Sequence, residues 1–274
     1  GVEIVTIARS GGITTASDYA ASVSGTASVA IINIVDSATT GVITATASDG
    51  DLVTLKTLTN ANSNNAVTVT VTDATAAATD LTTVAGLTSV GVNASAVTTI
   101  TGTVTQINAA IAAVGTAPTN YSTTLSAGSE AATAITTLAG VDGTGTVDLS
   151  AVTTITGTVA EINAAIAAGT APTNYSTTLT AGSEVATDVT TLAGADGTGT
   201  VDLSAVTTIT GTVTEINAAI AAGTAPTNYS TTLSAGSEAA TDITTLAGVD
   251  GTGTVDASAV TTITGTVTEI NAAI

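Results

Sequence analysis

Cysteine, histidine, methionine, phenylalanine and tryptophan are all missing from this chain of 274 residues, and only four tyrosines supply aromatic surface. Without cysteine there are no disulfide staples and no zinc–thiolate centres. Without histidine, cysteine or a lysine near a serine, the usual nucleophile–base pairs of covalent catalysis cannot be assembled, so no enzyme is expected. Large side chains that could anchor a globular centre are also lacking. The apolar content is Ala, Val, Ile and Leu, which predicts a core of many thin, similar layers.

Positive charge is nearly as scarce. Arg9 and Lys56 stand against 21 acids, for a net charge of −19. Nucleic acid is not expected as a partner, because that binding rests on Lys and Arg neutralising phosphates. Docking on anionic lipid is disfavoured for the same reason. No uninterrupted apolar run of about 18 residues is present, so no membrane insertion is expected. The opening GVEIVTIARSGG has no basic stretch followed by an apolar run, so no secretory signal is expected there.

What the chain has is repetition. AVTTITGTVAEINAAI at Ala151–Ile166 returns almost unchanged at Ala205–Ile220 and Ala259–Ile274, with an earlier copy at Ala96–Ile111. The starts 96, 151, 205 and 259 differ by 55, 54 and 54. A degenerate copy occupies 66–95, opening on the alternating AVTVTVTD, and TDLTTVAG at Thr79–Gly86 aligns with TDVTTLAG at Thr187–Gly194. Residues 66–274 therefore read as tandem repeats. Residues 1–65 read as a separate β-rich cap or assembly domain with strands at Val2–Ala8, Ser28–Val35, Gly41–Ala47 and Leu52–Leu58.

Each 54-residue unit divides into two strand-plus-helix coils of about 27 residues, the signature of an α/β solenoid, β-rich with short helices. In the first coil Thr158 and Glu161 form a capping box, repeated as Thr212/Glu215 and Thr266/Glu269 and softened to Thr103/Gln106. Val159, Ile162 and Ile166 form one apolar stripe, and Gly169 is expected to close the helix. The second helix is expected over Ser183–Ala193, with Ser183 as N-cap and Glu184 in the first turn. The spacing of Leu149, Val152, Ile155, Val159, Ile162 and Ile166 also fits one long helix, and hence a helical repeat array. The β-branched run Thr153–Thr156 and Gly157 favour strand then helix.

The loop DGTGTVD recurs at Asp142–Asp148, Asp196–Asp202 and Asp250–Asp256. Its paired carboxylates, Asp142 with Asp148, Asp196 with Asp202 and Asp250 with Asp256, are candidate Ca²⁺ ligands; the alternative is a turn whose Asp accepts backbone N–H groups. If two coils separate successive units, Asp148, Asp202 and Asp256 stack in one column of like charge about 10 Å apart, twice the inter-strand spacing. Thr153, Thr154 and Thr156 would then stack on Thr207, Thr208 and Thr210. Such threonine arrays raise a remote ice-binding alternative. Asn120-Tyr-Ser, Asn174-Tyr-Ser and Asn228-Tyr-Ser, with Asn93-Ala-Ser, match the N-glycosylation pattern, or form turns after Pro118, Pro172 and Pro226.

The segment TGTVAEINAAIAAG, following a Thr/Val strand and an acidic Gly-Thr loop, resembles the repeats of very large secreted bacterial surface proteins, adhesin-like proteins of cyanobacteria and marine bacteria. The resemblance covers residues 66–274. It implies an extracellular or cell-surface location, calcium, and a role in envelope, adhesion or filament formation. The expected function is a structural repeat protein that assembles with itself into a fibre, surface layer or stalk. The alternatives are an adhesin or carbohydrate-binding module contacting surface glycans, and a phage tail fibre. The last copy stops at Ile274 within its helix, which predicts an apolar edge in need of cover from further repeats or a neighbouring subunit.

Overall fold

In the computed structural model, which describes residues 16–60, 63 and 65–274, β-branched segments and apolar-striped segments alternate as strands and short helices. Every strand pairing among the described residues is parallel. The helical-array alternative is thereby removed. Thr154–Gly157 is a strand, and the helix starts only at Val159.

The chain divides into two compact units. In the first, 1–126 with 138–148, strands Ala21–Ala27, Ile43–Ala47 and Ala66–Thr68 form one sheet. Strands Thr75–Ala77, Thr99–Gly102, Ser122–Leu125 and Val147–Asp148 form another. The helices are Val29–Asp36, Leu52–Leu55, Ala78–Gly86 and Val104–Ala113. Two of the strands expected near the start are helices instead. Ser28 accepts from the Ile31 N–H, and Val29, Ile32 and Val35 turn one buried stripe inward. Asp51 accepts from the Thr54 N–H at 2.9 Å and starts Leu52–Leu55. A cap plus an i, i+3, i+6 apolar spacing outweighs β-branched composition here. The expected strand Val2–Ala8 lies outside the described residues. The strand–helix design thus begins before the recognisable repeat, with Ala21 opposite Ile43 and Thr44 opposite Ala66.

In the second unit, 127–137 with 149–274, helices Val159–Ala167, Ala186–Ala195, Val213–Ala222, Ala240–Val249 and Val267–Ala273 start 27 residues apart. That interval matches the coil length read from sequence. The strand ladders keep a different step. Ser129 sits opposite Thr154, Thr154 opposite Ser176, Thr177 opposite Val201 and Val201 opposite Gly223, steps of 25, 22, 24 and 22. The mismatch is absorbed by strand number. Three strand segments separate helix Val159–Ala167 from Ala186–Ala195, and two separate Ala186–Ala195 from Val213–Ala222. New ladders therefore open at Ser129, Ser183 and Gly236.

The helix boundaries refine the sequence reading. Capping boxes form as expected at Thr103/Gln106, Thr158/Glu161, Thr212/Glu215 and Thr266/Glu269. The buried stripe of the first helix is Val159, Ile162 and Ala165, with Ile166 only half-buried. Gly169 takes the expected C′ position but without the left-handed φ of a glycine cap. Ala168 is the C-cap, and Gly169 enters the short strand Gly169–Thr170. Ser183 and Glu184 belong to strand Ser183–Val185, and the second helix begins at Ala186 with no side-chain cap. Val189 and Leu192 are buried, as their spacing required.

Candidate functional site

The most repeated local structure is the meeting of the Asp-Gly-Thr-Gly turn with the Asn-Tyr-Ser turn 22 residues earlier in the chain, Asp142 against Asn120. The helix before the acid ends with its N–H on a carbonyl four residues back, Asp142 on Leu138 and Asp196 on Leu192, both at 3.2 Å. The Asp carbonyl then accepts from the tyrosine N–H: Tyr121 to Asp142 at 3.1 Å, Tyr175 to Asp196 at 3.2 Å, Tyr229 to Asp250 at 3.1 Å. Asparagine fixes the turn from the other side. Asn120 Oδ1 accepts from the Thr144 N–H at 3.2 Å, and Asn174 and Asn228 do the same for Thr198 and Thr252 at 3.1 Å.

Two glycines are dictated by this packing. Gly143, Gly197 and Gly251 hold φ of +77°, +73° and +75°, the left-handed region that favours glycine. Two residues on, a Cβ at Gly145, Gly199 or Gly253 would run into the carbonyl oxygen of Tyr121, Tyr175 or Tyr229. A shallow polar hollow of about 220 Å³ lies beside the turn in the first unit, lined by Thr98, Asn120, Tyr121, Ser122, Thr144 and Gly145. Its counterpart in the second unit, about 210 Å³, is lined by Thr153, Asn174, Tyr175, Ser176, Thr198 and Gly199.

The two carboxylates of each loop part company in this geometry. Asp142, Asp196 and Asp250 are each 2% exposed. Burial pushes the carboxyls of Asp142 and Asp196 above the ordinary aspartate range. The neighbouring Tyr121 and Tyr175 are pushed up too, by burial first and then by the charge of Asp142 or Asp196. Asp148, Asp202 and Asp256 instead follow an inward valine on a strand and so face the other way. Asp202 Oδ1 and Asp256 Oδ1 each accept from the N–H two residues on, Ser204 and Ser258, at 2.9 Å. The hydroxyl and N–H of Ser258 hold Asp256 below the usual range. Among the described residues no group of three or more Asp, Glu, His or Cys converges as a metal site. The turn reading describes Asp202 and Asp256, whose carboxylates accept backbone N–H groups.

The expected columns of identical residues do not form along the ladders. Asp148 lies opposite Thr124, Asp202 opposite Thr178 and Thr224, Asp256 opposite Thr232. Thr154 faces Ser129 and Ser176, and Thr208 faces Ser183 and Ser230, not each other. The ladder step of 22–25 residues does not divide the 54-residue repeat, so copies of one residue fall in different ladders.

Sequence reasoning missed the buried glutamates. Glu184 and Glu238 are 6% and 8% exposed and sit at the inward position of a ladder's first strand. Glu184 Oε1 accepts from the N–H of Val159, the first residue of the preceding coil's helix, at 3.3 Å; Glu238 does the same for Val213. Thr158 and Glu161 already satisfy two other groups at that helix start. Each coil is thus capped partly by itself and partly by the next. Burial, then the charges of Asp188 and Glu161, raise Glu184, against the pull of the Val159 N–H. The signal in the sequence is the recurring Gly-Ser-Glu, which read alone fits a helix start equally well.

No protein-family model matches the chain, no curated protein matches it, and no solved structure matches it. Among the described residues, no helix is long and apolar enough to cross a membrane.

Proposed function

We propose that the chain is a structural protein: a stacked strand–helix solenoid that contributes to a cell-surface or extracellular fibre, layer or stalk by self-assembly. One observation carries this reading. Several recurring polar side chains hold one coil to the next, as Asn120 does with Thr144, Ser122 Oγ with Thr146 and Glu184 with Val159. The side chains that recur are therefore fasteners, and the array is the functional object. The extracellular placement rests on the resemblance of TGTVAEINAAIAAG to secreted surface repeats. It agrees with a composition rich in uncompensated acid, where Lys56 to Asp80 at 2.9 Å is the one ion pair among the described residues.

Electron microscopy of the purified protein is the direct test. Extended particles with a regular period support the reading, and compact, featureless globules end it. A second reading, adhesion to glycans, draws on the repeated hydroxyl-lined hollows at Asn120–Ser122 and Asn174–Ser176. Glycan-array binding that is lost on substituting both Thr144 and Thr198 by Val would favour adhesion over pure scaffolding.

A further inference from the structure

We infer that Asn120, Asn174 and Asn228 carry N-linked glycans, and that at Asn120 and Asn174 the first sugar lies in the polar hollow beside the asparagine. This deepens the extracellular reading above and rests on it, because the modification belongs to exported proteins. The acceptor pattern Asn-x-Ser occurs at Asn93, Asn120, Asn174 and Asn228, and the structure divides the four. The last three are exposed, each on a turn just before a buried tyrosine. Their Oδ1 atoms accept from the N–H groups of Thr144, Thr198 and Thr252 at 3.2, 3.1 and 3.1 Å. That bond fixes the plane of the side-chain amide and leaves Nδ2 without an acceptor among the described residues. Nδ2 is the atom that takes the sugar, and Oδ1 keeps its bond when it does.

Asn93 is held differently. It is half-buried and bridges Thr70 on one side and Thr116 on the other. Its N–H donates to the Val69 carbonyl at 2.9 Å, and its carbonyl accepts from the Val71 N–H at 2.8 Å. Its Oδ1 closes a local turn on the Ser95 N–H at 3.0 Å. A residue locked between two neighbouring coils has no room for a bulky branch, so Asn93 should be bare.

The hollows beside Asn120 and Asn174, about 220 and 210 Å³, supply the seat. Both fall short of the ~300 Å³ at which pockets for drug-sized ligands begin, which suits a single sugar ring. Thr98, Ser122 and Thr144 line the first with hydroxyls, and neither hollow has a charged side chain. On a chain of net charge −19 a neutral sugar is favoured there over an acidic one. The donor class is an oligosaccharide carried on a lipid diphosphate. Nδ2 bonds to the anomeric carbon, the bond from that carbon to the phosphate oxygen breaks, and the lipid diphosphate leaves. The proton lost by Nδ2 passes to a base of the transferase.

The test is peptide mass mapping of the full chain from its native source, before and after an amidase that releases Asn-linked glycans. Sugar at Asn120, Asn174 and Asn228 with Asn93 bare is the expected result. Three bare asparagines, or equal occupancy at Asn93, would overturn the inference. Nuclear Overhauser contacts between the first sugar and the methyl groups of Thr144 and Thr198 test the seat. If the sugars show none, they point into solvent and the second half of the inference is wrong. Periodic particles in the microscope with bare asparagines would sink this inference and leave the structural reading standing. Glycans on compact globules would do the reverse.

Discussion

Thr207–Ile220 and Thr261–Ile274 are one sequence in two settings, and they separate what a coil makes alone from what its neighbour provides. Both copies form a strand, a glycine corner and a helix, and both close the capping box, Thr212 with Glu215 and Thr266 with Glu269. Local structure is therefore written within the segment. Burial is not. Ile216 is fully enclosed, while the helix Val267–Ala273 has no buried residue at all. In this pair a strand–helix unit supplies part of a core and receives the rest from its neighbour.

The largest effect expected from this contrast is in the apolar stripe. Ile216→Ala should cost about 2–5 kcal/mol, the range for deleting a fully buried branched side chain. Ile270→Ala, the same change in the uncovered copy, should cost about 1 kcal/mol or less. Paired urea denaturations measure both. Equal losses would mean that the stripe at Ile270 is covered in solution, and the contrast would disappear.

Next in size is the contribution that crosses between coils. Glu238→Ala removes the acceptor of the Val213 N–H and should cost about 1–3 kcal/mol, the penalty for leaving a buried donor unpaired. Glu238→Gln keeps an amide oxygen for that donor and should restore most of the loss. If Gln is as damaging as Ala, the carboxylate acts through its charge and not through this hydrogen bond.

These two results also mark where the sequence was legible and where it was not. The 54-residue period, the capping boxes, the 27-residue helix interval and the stripe residues Val159 and Ile162 were all readable, because each depends on residues close in the chain. The role of Glu184 was not, because Gly-Ser-Glu is a plausible helix start until the strand at Thr208 pulls Ser183–Val185 into a ladder. Nor was the ladder step of 22–25 residues, since parallel register is set by which strands meet and not by spacing within one. The helix Val29–Asp36 was hidden for a related reason: β-branched residues that suit a strand were held helical by burial of Val29, Ile32 and Val35.

A smaller effect should be alike in both settings. Thr212→Ala and Thr266→Ala each delete an N-cap oxygen within one segment and should each weaken their own helix by about 1 kcal/mol. Residue-resolved hydrogen exchange can see both losses, whereas global unfolding should register mainly the Thr212 change. A cap that mattered only in the covered copy would show that the box forms through tertiary packing, against the locality argued here.

The smallest effects concern protons, and the covered and uncovered regions should respond with opposite sign. Glu184, Asp142 and Asp196 have raised values because burial penalises their charged forms. The folded state holds their protons to higher pH than the unfolded chain does. Their contribution is therefore complete below the reference values of 4.5 for Glu and 3.8 for Asp, and is lost as pH climbs through the raised ones. Glu269 is lowered by the Thr266 N–H and hydroxyl, so its contribution is present above 4.5 and fades as pH falls. Acidifying from neutrality to about pH 4.5 should raise the melting temperature of the whole chain, helped by relief of its negative self-repulsion. Below about pH 4.5 the helix Val267–Ala273 should fray more readily, read as faster amide exchange after correction for the intrinsic rate. Asp142→Asn with Asp196→Asn should flatten the first trend without touching the second. A variant that left the melting profile unchanged would place the pH response in the general charge of the surface and not in the buried turns.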